Sequence, residues 1–493
     1  MHIEKHVVKE RYKDHLSKYI LRRVQLMKNK IPRNWYVSLL LVVFTISLFT
    51  FVVSCGGSDG NSNGAGPTSS GSLPTGGGAT YYVAPNGDDN NPGTKAQPWQ
   101  TIGKAAATLV SGDTVYIRAG TYQERVVPQN SGSDYIMYAA YPGERVTIDG
   151  SGVSMPSGDA GLFEVSGLSN IRISGLRIIN VGPDDNHAGI LVGDSSHIII
   201  DNNYTYNTTS SGIGVWSSSD VTIDGNEVEL ACNNGEQESI TVAGTNTFEI
   251  RNNHVHHSGP GTNGGEGIDA KDGSSNGRIY NNHVHHLNNR VGIYVEAWDK
   301  HTYNIEVYRN IVYNIINNDG FAIGSEEGGL LENIRIYNNI AYNNELSGIA
   351  VSAAGDAATH PIRNARIINN TFYNNGGSIW GGGISIENPD VSDLIIRNNI
   401  CSQNRWFQIQ VEVPVQITID HNLINGTRGD DENDGSDVVE DDPMFSNPSG
   451  GDFHLQSGSP AIDTGSSADA PFDDYDGMAR PQGGGYDIGA FER

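Results

Sequence analysis

HIIIDNN at 197–203, VTIDGN at 221–226, FEIRNN at 248–253 and GRIYNN at 277–282 are variants of one unit, in which apolar residues alternate and an Asn closes the segment. The unit returns as IEVYRN (305–310), IRIYNN (334–339), ARIINN (365–370), LIIRNN (394–399) and ITIDHN (417–422), about every 27 residues. Between these lies a second short segment that opens with Gly: GILV from Gly189, GIGV from Gly212, GIDA from Gly267, GIYV from Gly292, GFAI from Gly320, GIAV from Gly348 and GISI from Gly383. Period-two alternation marks strands with the Ile and Val positions facing inward. No stretch between them reads as a crossover helix. Parallel strands repeated without helices predict an all-β, right-handed parallel β-helix, a solenoid of about ten coils stacked about 4.8 Å apart. The recurrent Asn fits a ladder of side-chain amides bonded from coil to coil. The Gly before the second strand predicts a tight or positive-φ corner.

Composition agrees with that architecture. The chain has 493 residues, of which 61 are Gly, with 37% hydrophobic and 18% charged residues. This excludes a helical bundle and a disordered polyampholyte, and favours turn-rich β structure. The formal charge is −26, and the first 54 residues hold ten basic against three acidic side chains, so the remainder is more acidic still. Such a surface excludes nucleic acid as a partner and repels polyanions unless a bound cation reverses the local field. Three cysteines cannot build a disulfide framework.

The chain divides at 1–54, 55–79, 80–427 and 428–493. The uncharged apolar run at 38–53, after Lys28, Lys30 and Arg33, has a signal-peptide layout, and Met27 offers a second start with a conventional short basic segment. Val52-Val53-Ser54-Cys55 resembles a bacterial lipobox, which implies lipidation at Cys55; a plain membrane-anchor helix is the other reading. The Gly/Ser-rich stretch that follows is a flexible tether. The expectation is an exported lipoprotein of the outer membrane or cell surface, touching the membrane only through its lipid and monomeric. At 80–427 the solenoid begins with TIGKAAATL (101–109) as a short helix over its open end. At 428–493 a cap module closes the chain. The acidic run from Asp430 to Asp442 reads as a solvated loop or a calcium site.

Side chains in one column of a solenoid stack over neighbouring coils. The residue before the corner reads Ser211, Glu238, Glu266, Val291 and Asp319; the first outward position Gly214, Thr241, Asp269, Tyr294 and Ala322; the next Trp216, Ala243, Lys271, Glu296 and Gly324. Carboxylates, a Lys, an Arg and aromatics concentrate between Glu238 and Asp299, whereas most other coils carry small or neutral residues. Glu238, Glu266 and Asp269 are hard oxygen donors on adjacent coils and are the candidate calcium ligands; solvated acids on an acidic protein are the alternative. Lys271, two residues beyond Asp269, is the candidate base, with a pKa lowered by the cation, or else it forms a salt bridge with Glu296. Arg290 and Tyr294 would bind substrate or assist the leaving group. Trp216, Glu296 and Trp298 would contact sugar.

The doubled HVHH (254–257 and 283–286) invites a zinc reading. His256 and His285 fall in the column of Tyr313, Tyr342 and Tyr373, however, and His257 and His286 in that of Asn207, Asn314 and Asn343. A stack of rings beside a turn position follows. Cys232 and Cys401 lie too far apart in the repeat to pair.

The segment 81–122 resembles the opening of many β-helix polysaccharide lyases, and DDPMF (441–445) through SPAIDTG (459–465) to the C-terminus resembles the closing module of secreted bacterial β-helix proteins. GEGIDAKDG (265–273) resembles the calcium-site turns of polysaccharide lyase family nine, the pectate-lyase-like β-helices. The resemblance implies calcium and β-elimination on a uronic-acid-containing, acidic polysaccharide. In that family the base Lys sits in a later coil, in the column occupied here by Ala322, so Lys271 as base rests on this sequence's own geometry. GFAIGSEEGG (320–329) resembles a turn of the polygalacturonase-type glycoside hydrolases, whose paired aspartates are replaced here by RVGIYVEAWD (290–299). Two other functions stay open: a glycoside hydrolase using Asp269 and Glu296, and a non-catalytic glycan-binding surface protein.

Overall fold

The computed structural model describes residues 77–234, 237–258, 265–378 and 380–493. The signal segment at 1–54, Cys55 and the tether as far as residue 76 lie outside them.

Three long parallel sheets form the body. One has 13 strands, from Thr80–Val83 to Thr418–Asp420; a second has 12, from Gly120–Tyr122 to Leu423–Asn425; the third has 10, from Ala160–Ser166 to Ile409–Val411. Each full coil gives one strand to each sheet and pairs with the coils on either side, which is the right-handed parallel β-helix read from the repeat. Apolar residues of the alternating pattern point into the bore and are almost fully buried, as in Ile198, Val221, Ile305 and Ile334. Packing there is complementary from coil to coil. Gly277 aligns with Phe248 in the first sheet, and a Cβ on Gly277 would lie 2.0 Å from the Phe248 ring. One coil's missing side chain makes room for its neighbour's ring. At the N-terminal end the helix Ile102–Thr108 is capped by the Thr101 hydroxyl, which accepts from Lys104 N. It buries Ile102, Ala105 and Ala106 against Val83 and Trp99, so the first coil's bore is closed by apolar surface.

The Asn ladder is present over nine coils. Asn282 is typical: its Nδ2 donates to Ile250 O at 2.9 Å and to Asn310 Oδ1 at 3.0 Å, while its own Oδ1 accepts from Asn253 N and Nδ2. Every buried amide in the column is thereby satisfied by its neighbours. A second ladder through Asn344, Asn375 and Asn404, ending on Gln408, runs along the next corner, between the second and third sheets.

The corner glycines require a correction. Gly212, Gly267, Gly292, Gly320, Gly348 and Gly383 do not occupy left-handed backbone. They are glycine because adjacent coils approach too closely: a Cβ on Gly267 would meet Gly292 O at 2.4 Å, and one on Gly292 would meet Gly320 O at 2.5 Å. The left-handed turns are held by other residues, mostly Asn, whose short side chains tolerate that conformation. Asn202, Asn252, Asn281, Asn338, Asn369 and Asn398 all have φ between 53° and 55°.

Residues 428–493 do two things. Glu432 accepts from Gln408 N and Ile409 N, and Val439 N bonds to Asn422 O, so the acidic stretch folds over the last coil. The rest runs back along the flank of earlier coils. Arg309 Nε donates to Asp474 O, Asn338 Nδ2 to Asp473 O, Asn369 Nδ2 to Asp487 O and Asn398 Nδ2 to Ser466 O, at 2.7–2.9 Å. Phe445, Phe453, Ile488 and Phe491 close an apolar cluster on Ile340, Ile400 and Leu423 of the second sheet. The buried Arg480–Glu492 pair, at 2.7 Å, holds this segment together.

Candidate functional site

Strands Ile240–Ala243, Ile268–Lys271, Ile293–Ala297 and Phe321–Ser325 of the third sheet stack in one register. Their alternation puts Ile240, Val242, Ile268, Ala270, Ile293 and Val295 in the bore, and the residues between them on the outer face. The register sets Gly214, Thr241, Asp269, Tyr294 and Ala322 in one column, and Trp216, Ala243 and Lys271 in the next, where Glu296 pairs onward with Gly324. The columns read from the sequence are those of the structure.

Several side chains of the outer face here are nevertheless almost fully buried. Asp269, Glu296, Glu238 and Tyr294 are 2%, 3%, 5% and 7% exposed. Lys271 Nζ lies 2.6 Å from Glu238 Oε1, Thr241 donates to Glu238 Oε2 at 2.9 Å, and Thr241 in turn meets Ser211 Oγ at 3.0 Å. The ion pair of Lys271 is therefore with Glu238, not with Glu296. Arg290 Nε stands 3.9 Å from Glu266 Oε1. The Tyr294 hydroxyl donates to Glu326 Oε1 at 2.8 Å, and its ring packs with Val291, Ala322 and Ala350. The Trp216 indole covers Gly214, where a Cβ would be 2.1 Å from the ring. Trp298 is 40% exposed beyond the end of its strand.

Five carboxylates, Glu238, Glu266, Asp269, Glu296 and Glu326, thus face two cations, Lys271 and Arg290. Burial pushes Asp269 well above the usual carboxylate range, helped by Glu238 and Glu266 and opposed by Lys271. Burial likewise raises Glu296 well above its ordinary value, with Glu326 and Asp269 adding to it, and raises Glu266 against the pull of Arg290. Burial alone would lower Lys271, but Glu238, Asp269 and Glu296 outweigh it and hold the ammonium above the ordinary lysine value. Lys271 is a firmly protonated cation in this arrangement, opposite to the lowered pKa expected of it. Asp269 Oδ1 and Glu296 Oε2 are buried with no hydrogen-bond partner. An unpartnered buried carboxylate oxygen is what a hard cation would satisfy, although Glu238, Glu266 and Asp269 do not bring three ligand atoms within 4.8 Å of one another.

Glu326 was not singled out from the sequence. It follows the strand in a GSEEGG stretch that breaks the repeat, and that break was its signal. The two histidine clusters lie elsewhere, on the outer face of the second sheet. His256 and His285 stack at 5.2 Å and 8°, and His285 on Tyr313 at 5.0 Å and 17°. His257 and His286 hold left-handed turns, as their column predicts. Among the described residues, the sets of three His, Cys, Asp or Glu side chains whose ligand atoms lie within 4.8 Å of one another are all on that face. Cys232 and Cys401 are buried, unpaired thiols pushed up by desolvation.

Comparison with known proteins gives a consistent picture. A family model described as Pel9A-like, right-handed β-helix region, matches residues 81–378. The uncharacterized protein YwoF of Bacillus subtilis (strain 168) is 29% identical over 496 residues, covering 87% of this chain and 99% of its own. Pectate lyase PEL9 of Emericella nidulans is 30% identical over 132 residues, which is 24% of this chain and 31% of that protein. The crystal structure of pectate lyase Pel9A superposes with a TM-score of 0.51 at 17% identity, over 84% of this chain and 96% of that one, a likeness of fold.

Proposed function

The chain belongs to the Pel9A-like right-handed β-helix family, and from that premise we propose that it is a calcium-dependent lyase cleaving a uronic-acid-containing polysaccharide by β-elimination. The observation that carries this is the pair of unpartnered buried oxygens, Asp269 Oδ1 and Glu296 Oε2, beside Lys271. The match to pectate lyase PEL9 over part of the chain supports lyase chemistry.

Glu238, Glu266 and Asp269 would hold the calcium ion, which when bound supplies positive charge for a substrate carboxylate and acidifies the proton on the carbon bearing it. Lys271 is the base in this reading. Once the carboxylates that hold it charged are neutralised and it has given its own proton to solvent, it takes that proton; the glycosidic carbon–oxygen bond on the neighbouring carbon breaks as the double bond forms, and the leaving oxygen takes a proton from water. Arg290 pairs with the substrate carboxylate and helps exclude water. Trp298, exposed at the end of its strand, offers a face to a sugar ring. Cell-surface attachment through Cys55 would set the enzyme on large extracellular polymers.

Incubation with pectin, alginate and glycosaminoglycans, followed by ultraviolet absorbance of the unsaturated uronic end, tests the proposal. Absorbance that chelator abolishes supports it. One specific observation favours a second reading: Glu296, kept protonated by burial beside Asp269, has a proton to give, as a hydrolase acid does. Products with only saturated reducing ends would select that reading, and binding without any product would leave a glycan-binding protein.

A further inference from the structure

The second sheet carries a site of different chemistry on strands His254–His256 and His283–His285. Val255 and Val284 point into the bore and are fully buried, so His254, His256, His283 and His285 share the outer face. His254 aligns with His283, and His256 with His285. His254 Nε2 and His285 Nε2 lie 2.8 Å apart. One ring nitrogen each of His254, His283 and His285 lies within 4.8 Å of the other two.

We propose that His254, His283 and His285 bind a divalent transition-metal ion of imidazole preference, such as zinc, as a staple between two adjacent coils.

The neighbouring side chains already orient the rings as outer-sphere partners do at metal sites. The Tyr313 hydroxyl meets His283 Nε2 at 3.0 Å. His286 Nδ1 meets His285 Nδ1 at 2.6 Å, and Asn314 Nδ2 meets His286 Nε2 at 3.2 Å. As these stand, the chain of donors runs from Asn314 through His286 and His285 to His254, and His285 Nε2 carries hydrogen. Turning the Asn314 amide reverses the chain. His286 then carries its hydrogen on Nε2 and His285 on Nδ1, each ring still with one, and the Nε2 lone pairs of His254 and His285 are both free. Two tetrahedral ligands at zinc–nitrogen distance stand about 3.3 Å apart, so a swing of about half an ångström opens the pair to the ion. Glu227, 3.3 Å from His256 Nε2, brings an acid to the rim.

Titration calorimetry of the full chain with zinc chloride, in calcium-free buffer, tests the proposal. The expected result is about one equivalent bound, weakened at least 10-fold in His254→Ala and in His283→Gln and unchanged in His301→Ala, which alters an exposed histidine just before the first-sheet strand Thr302–Tyr308. Cobalt(II) added to the unmutated chain should give ligand-field absorption that zinc displaces, a readout that needs no variant to fold. Zinc should also raise the unfolding temperature of the native chain but not of His254→Ala. Absence of both zinc binding and cobalt absorption in the native chain overturns the site, as does binding that survives intact in both His254→Ala and His283→Gln. Asp269→Asn leaves zinc binding unchanged, which separates this site from the calcium proposal.

Discussion

Lys271 Nζ sits 2.6 Å from Glu238 Oε1, a carboxylate on the adjacent coil that Thr241 also holds. The pair makes the ammonium the resting form, and Asp269 and Glu296 reinforce it. A base must lose that proton, so lyase activity should rise with pH on the alkaline side, and saturating calcium should move the rise to lower pH. The pH–rate profile at two calcium concentrations checks this; profiles that superpose count against Lys271 as base. Lys271→Arg keeps a cation against Glu238 but cannot release a proton. Turnover should fall at least about 100-fold while KM stays within about 3-fold.

The buried carboxylates give a stability signature. Asp269 and Glu296 have folded pKa values above their unfolded ones, so the folded chain binds more protons and loses stability as pH rises from the ordinary carboxylate value toward neutrality. Lys271 behaves oppositely in origin: its raised value contributes stability below the unfolded lysine pKa, lost only as pH climbs through the folded one. Without calcium, Asp269→Asn should therefore stabilise the chain at pH 7 by on the order of 1 kcal/mol, and the variant should gain less from added calcium than the parent does. Thermal melts with and without the ion measure both. A parent whose stability is flat between pH 4 and pH 7 would contradict the sign.

Removing one rung of the Asn ladder should cost more than one hydrogen bond. Asn282→Ala strands Ile250 O and the amides of Asn253 in the buried column, a loss of at least about 2 kcal/mol from unsatisfied groups. Denaturant unfolding reads it, and an exposed replacement such as Asn304→Ala serves as the comparison.

The corner glycines can be told apart from ordinary ones. Gly292→Ala drives a methyl to 2.5 Å from Gly320 O and should destabilise by about 1–3 kcal/mol. Gly193→Ala, with nothing within 4 Å, should lie within about 0.5 kcal/mol of the parent.

Lipidation predicts a fractionation result. Cys55→Ser should leave the precursor unprocessed or release the protein to the soluble fraction. A processed, membrane-bound form of that variant would remove the lipoprotein reading.

The columns of the third sheet were legible because a coil repeats its register: Asp269 falls over Thr241 and under Tyr294 in the sequence spacing and in the strands alike. The Asn ladder was legible for the same reason. Other features depend on what approaches from outside the repeat. Glu326 enters from a segment that interrupts it. The closure of the face over Asp269, and with it the raised pKa of Lys271, follows from five carboxylates being brought in from successive coils, which no single strand displays. The corner glycines were recognised, but their cause was not, because a clash with the next coil and a left-handed turn leave the same letter in the sequence.

The flank contacts of the C-terminal segment reach one equivalent turn position on each of four consecutive coils: Arg309, Asn338, Asn369 and Asn398. A bare solenoid is coupled only between neighbours, and its coils can open one at a time. A strap fastened at four points makes those coils exchange and unfold as a block. The coils that carry Glu238, Asp269 and Lys271 precede the first fastening, so they retain the local freedom that the splinted half gives up. Amide exchange would then divide the molecule near Arg309. A deletion of one coil inside the splint would put all later fastenings out of step, whereas a deletion before it would leave them aligned.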